Sequence, residues 1–248
     1  MSKRLGRKTS YKKLNILDQS DLKSSIEKAQ LVMNFVGPYY RFNTLALEVA
    51  IEQGVHYIDL CDDYDVTIEA LSLDELAKEN NVTAITGMGA SPGMTNILAR
   101  LGADQLDTVQ EINTYWVVGD AEPSGLGTLV HMFHIINGKI PTYNNGKETL
   151  IPAFQEETAK KIDFEGPIGE VTLYHVGHPE PVTLPKNIPN VQKVTNYGAL
   201  LPEYQNHMFK TLVDMGLTSE ESISFQGEQV SPLEFLLSFL PQNKGKEM

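Results

Sequence analysis

An α/β fold, with a doubly wound parallel sheet followed by an α+β domain, is the class this sequence predicts. The first observation behind it is that short apolar runs alternate three times with helix-patterned stretches of about 10 to 15 residues. The second is that the connections are short, which suits parallel strands joined by helical crossovers. The third is a change of texture near residue 107, beyond which loosely alternating strands, helices and frequent proline and glycine take over.

In chain order, Leu31-Val32-Met33-Asn34-Phe35-Val36 ends in Gly37-Pro38, as a buried strand stops. Asn43 is placed to cap a helix carrying Leu45, Leu47, Val49, Ala50 and Ile51, and Gly54 supplies the left-handed residue that ends it. Val55-His56-Tyr57-Ile58-Asp59-Leu60 reads as the second strand. Ile68, Ala70, Leu71, Leu73, Leu76 and Ala77 fall near helical spacing, Asn80-Asn81 closes that helix, and Val82-Thr83-Ala84-Ile85-Thr86 is the third strand. In an open α/β sheet, ligands bind at the carboxyl ends of the strands. Later, Glu111 to Val118 alternates loosely, a helix is expected from Leu126 to Asn137, Val171 to Val176 reads as a half-buried strand, and Gln205 to Gly216 is a helix stopped by its glycine. The expected division is 1–106 and 107–248.

The chain has 248 residues with 41% hydrophobic and 21% charged content, enough to bury a substantial core. Its 20 basic and 32 acidic residues leave a net charge of -12, which repels phosphate backbones and anionic lipid, so neither nucleic acid nor a membrane surface is an expected partner. The single cysteine, Cys61, excludes an intrachain disulfide and points to a cytoplasmic setting. No apolar run approaches the roughly 18 residues of a membrane span, and no secretory core follows the basic residues Lys3, Arg4, Arg7, Lys8, Lys12 and Lys13. That basic segment reads as a solvated face, and Gln242 to Met248 as a frayed polar tail.

Five constellations are candidates for chemistry. Gly87-Met88-Gly89-Ala90-Ser91-Pro92-Gly93 lies between a strand and a helix, but its G-x-G-x-x-x-G spacing departs from the dinucleotide fingerprint and no acidic partner follows about 20 residues on. It is either a helix start, with Ser91 as N-cap and Pro92 at the first helical position, or an anion or carboxylate site at the helix N-terminus. Asn34 to Tyr40 sits at a strand's carboxyl end, where a cofactor ring can rest against the backbone and Tyr39 and Tyr40 can shape a pocket. Asp59, Asp62, Asp63 and Asp65 cluster at the next strand end. They suit acid-base chemistry, although Asp63 or Asp65 also suits a helix N-cap; Cys61 among them lacks a base and reads as buried packing. His131 and His134 share a helix face without a third ligand at metal spacing, so no metal is expected there. His178-Pro179-Glu180-Pro181 is read as a rigid polar loop, functional or simply a turn.

The succession Asn34-Phe35-Val36-Gly37-Pro38-Tyr39, Gly54-Val55-His56-Tyr57-Ile58-Asp59 and Gly89-Ala90-Ser91-Pro92-Gly93-Met94-Thr95-Asn96 resembles the saccharopine dehydrogenase-like family. Gly177 to Pro185 and Asn196 to Leu200 are similar to one branch of it, and the likeness runs from about residue 20 to 240. The resemblance implies a partial Rossmann-like domain over 1–106 and an α+β substrate or oligomerisation domain over 107–248. It also implies an NADP- or NAD-dependent oxidoreductase acting on a C–N centre of an amino-acid-like small molecule. On that reading Asn34, Gly37, Pro38, Tyr39 and Asp59 face the cofactor, and Gly89, Ser91, Pro92 and Gly93 face the substrate. Asp62 is the acid-base candidate, chosen mainly for its place in the cleft rather than by the match, and His178 is the second.

Family members open with a strand, a G-x-G-x-x-G turn and a helix. That unit is expected to be missing at the N-terminus here, with a cut at the C-terminus also allowed for. A sheet without its central strand exposes an edge, to be met by aggregation or by strand supply from a partner, as in a homodimer. The rival expectation is a non-catalytic binding or assembly module that has lost the dinucleotide loop.

Overall fold

The computed structural model describes residues 9–119 and 125–239. The basic residues Lys3, Arg4, Arg7 and Lys8 and the tail from Gln242 lie outside them. After helix α1 (Gln19–Ile26), strands β1 (Leu31–Asn34), β2 (His56–Asp59) and β3 (Ala84–Ile85) form a parallel sheet in that order, with Met33 opposite Ile58 and Ile58 opposite Ile85. The strands are shorter than the apolar runs predict. Phe35 and Val36 run exposed off the end of β1, where the Asn34 side chain accepts from the Val36 amide and turns the chain.

Helix α2 (Leu45–Glu52) lies between β1 and β2 and is apolar nearly all round, so Val49, Ala50 and Ile51 are wholly buried against Leu22, Ile26 and Tyr57. Gly54 ends this stretch with φ +65. Asn43 is not the helix cap that its side chain suggests. It takes φ 49 just after a 3-10 turn at Tyr39–Arg41, its amide donating to the Tyr39 carbonyl, and Thr44 occupies the cap position. Asparagine tolerates that left-handed conformation better than other non-glycine residues, and here the turn claims it. The next helix is two: α3 (Tyr64–Ser72) and α4 (Asp74–Glu79), separated at Leu73, where Ser72 Oγ donates to the Glu69 carbonyl. Helix α5 (Thr95–Ala103) follows β3.

The remainder builds a second, mixed sheet. Strand β4 (Glu111–Gly119) runs parallel to β9 (Lys193–Leu201), and β5 (Lys139–Asn144), β6 (Lys147–Pro152), β7 (Lys160–Asp163) and β8 (Glu170–His175) complete the order β6-β5-β9-β8-β7 with β4 on β9. The β5–β6 hairpin turns on Asn145 and Gly146, both at positive φ, as a two-residue turn of this hand requires. Helices α6 (Leu126–Ile135), α7 (Glu180–Asn187), α8 (Tyr204–Asp214) and α9 (Pro232–Phe239) pack around it, and a small hairpin, β10 (Ile223–Phe225) with β11 (Glu228–Val230), precedes α9. Ile135, Ile136, Ile140, Leu173, Val176 and Val194 are its innermost residues. Among the described residues no helix is long and apolar enough to cross a membrane.

Candidate active site

The carboxyl ends of β1 and β2 open on a cleft of about 310 Å³, which falls at the lower end of small-molecule sites. Phe35, Gly37, Pro38, Tyr39, Leu60 and Asp62 line it from the sheet's side, and the start of α6, with Gly127, Thr128 and His131, lines it from the other. Gly127 permits this closeness, because a Cβ there would stand 3.3 Å from the Gly37 carbonyl oxygen.

Polar side chains behind the cleft hold the strand ends together. Tyr39 Oη donates to the Asn34 carbonyl (2.9 Å) and accepts from the Leu60 amide (3.1 Å), tying β1 to β2. Asn34 Nδ2 donates to Tyr57 Oη at 3.0 Å. Asp59 Oδ1 accepts from the Cys61 amide, Thr86 Oγ1 and the Gly87 amide at 2.8–2.9 Å, fixing the loops that leave β2 and β3. So of the five residues expected to face a cofactor, Gly37, Pro38 and Tyr39 line the cleft, whereas Asn34 and Asp59 are buried and occupied with architecture. Cys61 is buried, and burial and then the charge of Asp59 push its thiol far up, out of range of a nucleophile.

Two histidines from distant elements converge beside Asp62. His131 on α6 is 2.8 Å from Asp63 Oδ1 through Nδ1, and its Nε2 is 3.4 Å from Asp62 Oδ2. His178, just before α7, is 2.9 Å from Glu180 Oε2 through Nδ1. Both rings lie edge to face with centroids 6.0 Å apart. Asp63 and Glu180 are fully buried, and each has further donors: the Tyr40 amide for Asp63 (2.9 Å), and the hydroxyls of Ser91 and of Thr95 (2.7 Å) for Glu180. This hydrogen-bond pattern places a proton on Nδ1 of both rings, donated to the carboxylate, and leaves Nε2 as the other ring nitrogen, which in His131 lies on the Asp62 side.

The electrostatics follow from that geometry. Burial works against the Asp63 and Glu180 charges, but the His131 and His178 contacts, with the other donors, outweigh it and hold both carboxyls below their ordinary values. Burial likewise opposes a charged His131, yet its hydrogen bond to Asp63 and the charges of Asp62 and Asp65 raise its pKa. Asp62 goes the other way: desolvation leads, Asp63 adds to it, and its carboxyl is raised despite the histidines.

The glycine-rich segment proves to be part of this network. Ser91 is not an N-cap; its backbone is extended (φ -129, ψ 123), and its hydroxyl serves Glu180 rather than a helix amide. The position expected to take an external carboxylate at Ser91 therefore already holds an internal one. Gly93 packs so close to the Gly87 carbonyl that a Cβ would sit 2.7 Å from it, and the Gly89 carbonyl accepts from the Met94 amide. The His178-Pro179-Glu180-Pro181 string is not a loop throughout: Pro179 is the N-cap position of α7, and the prolines sit in the first turn, where a missing amide costs nothing. Helical spacing paired His131 with His134, but His134 stacks on Tyr40 (centroids 4.1 Å) and faces Asp65 instead. Neither the His131–Asp63 pair nor the role of Glu180 was anticipated; the only local signal was a His and a Glu two residues apart.

Three comparisons bear on this arrangement. Residues 2–85 match the family described as saccharopine dehydrogenase NADP binding domain. A carboxyaminopropylagmatine dehydrogenase from Synechocystis is 24% identical over 224 residues, covering 86% of this chain and 55% of that protein. The apo saccharopine dehydrogenase (L-Glu forming) of Saccharomyces cerevisiae superposes with a TM-score of 0.58 at 17% identity, over 85% of this chain and 48% of that one, which shows a shared fold. The chain thus spans about half the length of these relatives.

Proposed function

We propose that the chain, which is similar to saccharopine dehydrogenase-like proteins, serves an oxidoreductase reaction at a C–N centre of an amino-acid-like small molecule, with NADP or NAD as cofactor. The observation that carries this reading is the convergence of Asp62, His131 and His178 beside a cleft at the carboxyl ends of parallel strands. On this reading 1–106 receives the cofactor and 107–248 contributes the substrate side.

The cleft fits the ring end of such a cofactor: Gly37 offers bare main chain, Pro38 and Tyr39 offer flat apolar surface, and the volume suits one ring rather than a whole dinucleotide. The pyrophosphate end finds no G-x-G-x-x-G turn anywhere in these 248 residues. When bound, the nicotinamide supplies or accepts hydride at the substrate carbon. The protein's own part is the proton. Asp62, its carboxyl raised by burial, is suited to give or take a proton at the substrate nitrogen. His131 exchanges that proton with Asp62 at Nε2, while Asp63 accepts from Nδ1, holds the ring in place and stabilises its charged form. His178, oriented by Glu180, stands on the other side of the same point. The acidic surround favours a substrate that presents an ammonium group.

The test is a titration of the purified chain with NADPH and with NADH, reading nicotinamide fluorescence and thermal shift together. The expected result is saturable binding with stabilisation that grows as RT ln(1 + [L]/Kd). No response to either compound up to millimolar concentration overturns the proposal for this chain.

A further inference from the structure

We propose that Asp62, His131 and His178 form a binding site for a divalent first-row transition ion of the zinc class. The inference uses side chains of the site above but needs none of its redox chemistry. It is carried by the way the three groups are held. One donor atom from each lies within 4.8 Å of the others, and both histidines are buried. The Nδ1 of each ring is taken by a fully buried carboxylate, Asp63 for His131 and Glu180 for His178, so Nε2 is the atom that each ring has available. Histidines that bind metals are held in this way, the carboxylate fixing the tautomer and the ring plane and making the free nitrogen a better donor.

The distances suit the ion. Bonds of about 2.0–2.1 Å to nitrogen and oxygen around a tetrahedral ion place neighbouring donors about 3.4 Å apart. His131 Nε2 and Asp62 Oδ2 already stand at 3.4 Å. Drawing the third donor in takes a side-chain movement on the order of 1 Å. Two histidines and one carboxylate leave a fourth position open toward the cleft, the pattern of a site that exchanges water or takes a ligand rather than a closed structural one. A second trio, Asp63, Asp65 and His134, also lies within reach, but both Asp63 oxygens are already engaged, Oδ1 by His131 and Oδ2 by the Tyr40 amide. With an ion bound, the two Nε2 lone pairs and Asp62 are no longer available to carry a proton. Ion and proton relay are therefore alternative states of one cluster, and occupancy by zinc shuts off the proton transfer proposed above.

The experiment takes the full chain, stripped with a chelator, and titrates it with Co²⁺ alone. Visible ligand-field absorption that saturates at one ion per chain, disappears on adding Zn²⁺ and is matched by a rise in Tm is the expected result. Asp62, the one member of the trio that is not buried, is the substitution least apt to disturb folding. Asp62→Asn is expected to weaken cobalt binding at least ~10-fold, the scale already seen when only a supporting partner of a ligand is lost. Asp62→Glu keeps the carboxylate and the spectrum, and His134→Gln leaves both unchanged. Far-UV circular dichroism of each ion-free variant checks that it is folded. Absence of a saturable spectrum, or Asp62→Asn binding as tightly as the wild type, overturns the site and leaves the trio a salt-bridged network. Dinucleotide binding by the ion-free chain is read separately, so nicotinamide binding without cobalt binding refutes this inference alone, and the converse refutes only the redox proposal.

Discussion

Replacing Glu180 by glutamine is expected to destabilise the chain and to change which nitrogen of His178 carries the proton. Glu180 is fully buried and accepts from the hydroxyls of Ser91 and Thr95 and from His178 Nδ1. Hydrogen bonds to a charged group are worth about 1.5–3 kcal/mol each and neutral ones about 0.5–1.5, so three such bonds lose roughly 3 kcal/mol when the acceptor becomes neutral. Relief from burying a charge offsets part of that loss. The lowered pKa of Glu180 indicates that its partners outweigh desolvation, so the net effect is a loss of about 1–3 kcal/mol, or roughly 2–4 °C of Tm per kcal/mol in a chain of this size. The glutamine oxygen can still take the two hydroxyls, but its NH₂ then faces His178 Nδ1 and can only donate. The ring must accept at Nδ1 and carry its proton at Nε2, which removes the Nε2 lone pair. Urea denaturation gives the stability and ¹⁵N shifts of the His178 ring give the tautomer. A Glu180→Gln chain as stable as wild type, with an unchanged tautomer, would refute the reasoning. Glu180→Ala, which strands the buried His178 Nδ1–H and two half-buried hydroxyls, is expected to cost about 3–5 kcal/mol.

Two other predictions follow from the same contacts. The Glu180 contribution comes from a depressed carboxyl, so it is fully present above its ordinary value of 4.5 and is lost as pH falls through the folded value; the Glu180→Gln penalty must shrink toward acid. His131 is raised, so its contribution is fully present below its ordinary value of 6.5 and is lost as pH rises through the folded value; the His131→Asn penalty in ion-free protein must shrink toward alkali. Denaturation midpoints of both variants against pH check the two trends, and a penalty that moves the opposite way in either variant counts against the assignment. Finally, Gly198 lies under the ring of Trp116, where a Cβ would overlap the six-membered ring, so Gly198→Ala is expected to cost about 1–3 kcal/mol or more and to shift the emission of this only tryptophan in the chain.

Local pattern carried much of the fold. Three apolar runs with helical stretches between them did become parallel strands joined by helices, because strand and helix periodicities are set by which face of a short segment is buried. Gly54 and Gly216 stop or follow their helices with positive φ because only a residue without Cβ enters that region cheaply. The cleft lies where the topology of a parallel sheet puts one, at the carboxyl ends of the strands, and Asp62 was chosen on that ground. The helix boundaries moved where short-range competition was invisible to periodicity, as at Leu73 and Asn43.

What the sequence by itself determined, then, is the alternation of elements, their turns and the end of the sheet at which polar groups gather. What only the tertiary structure decided is which of those polar groups meet. Ser91 has the spacing of a helix cap, yet its hydroxyl goes to Glu180, 89 residues away; His131 has a histidine neighbour on its own helix, yet it pairs with Asp63, 68 residues away. Buried donors and acceptors must find partners whatever their separation along the chain, and the partner is chosen by the packing of whole elements. Asn34 and Asp59, plausible toward a ligand when read locally, were claimed in the same way by Tyr57, Thr86 and the amides of the loops around them.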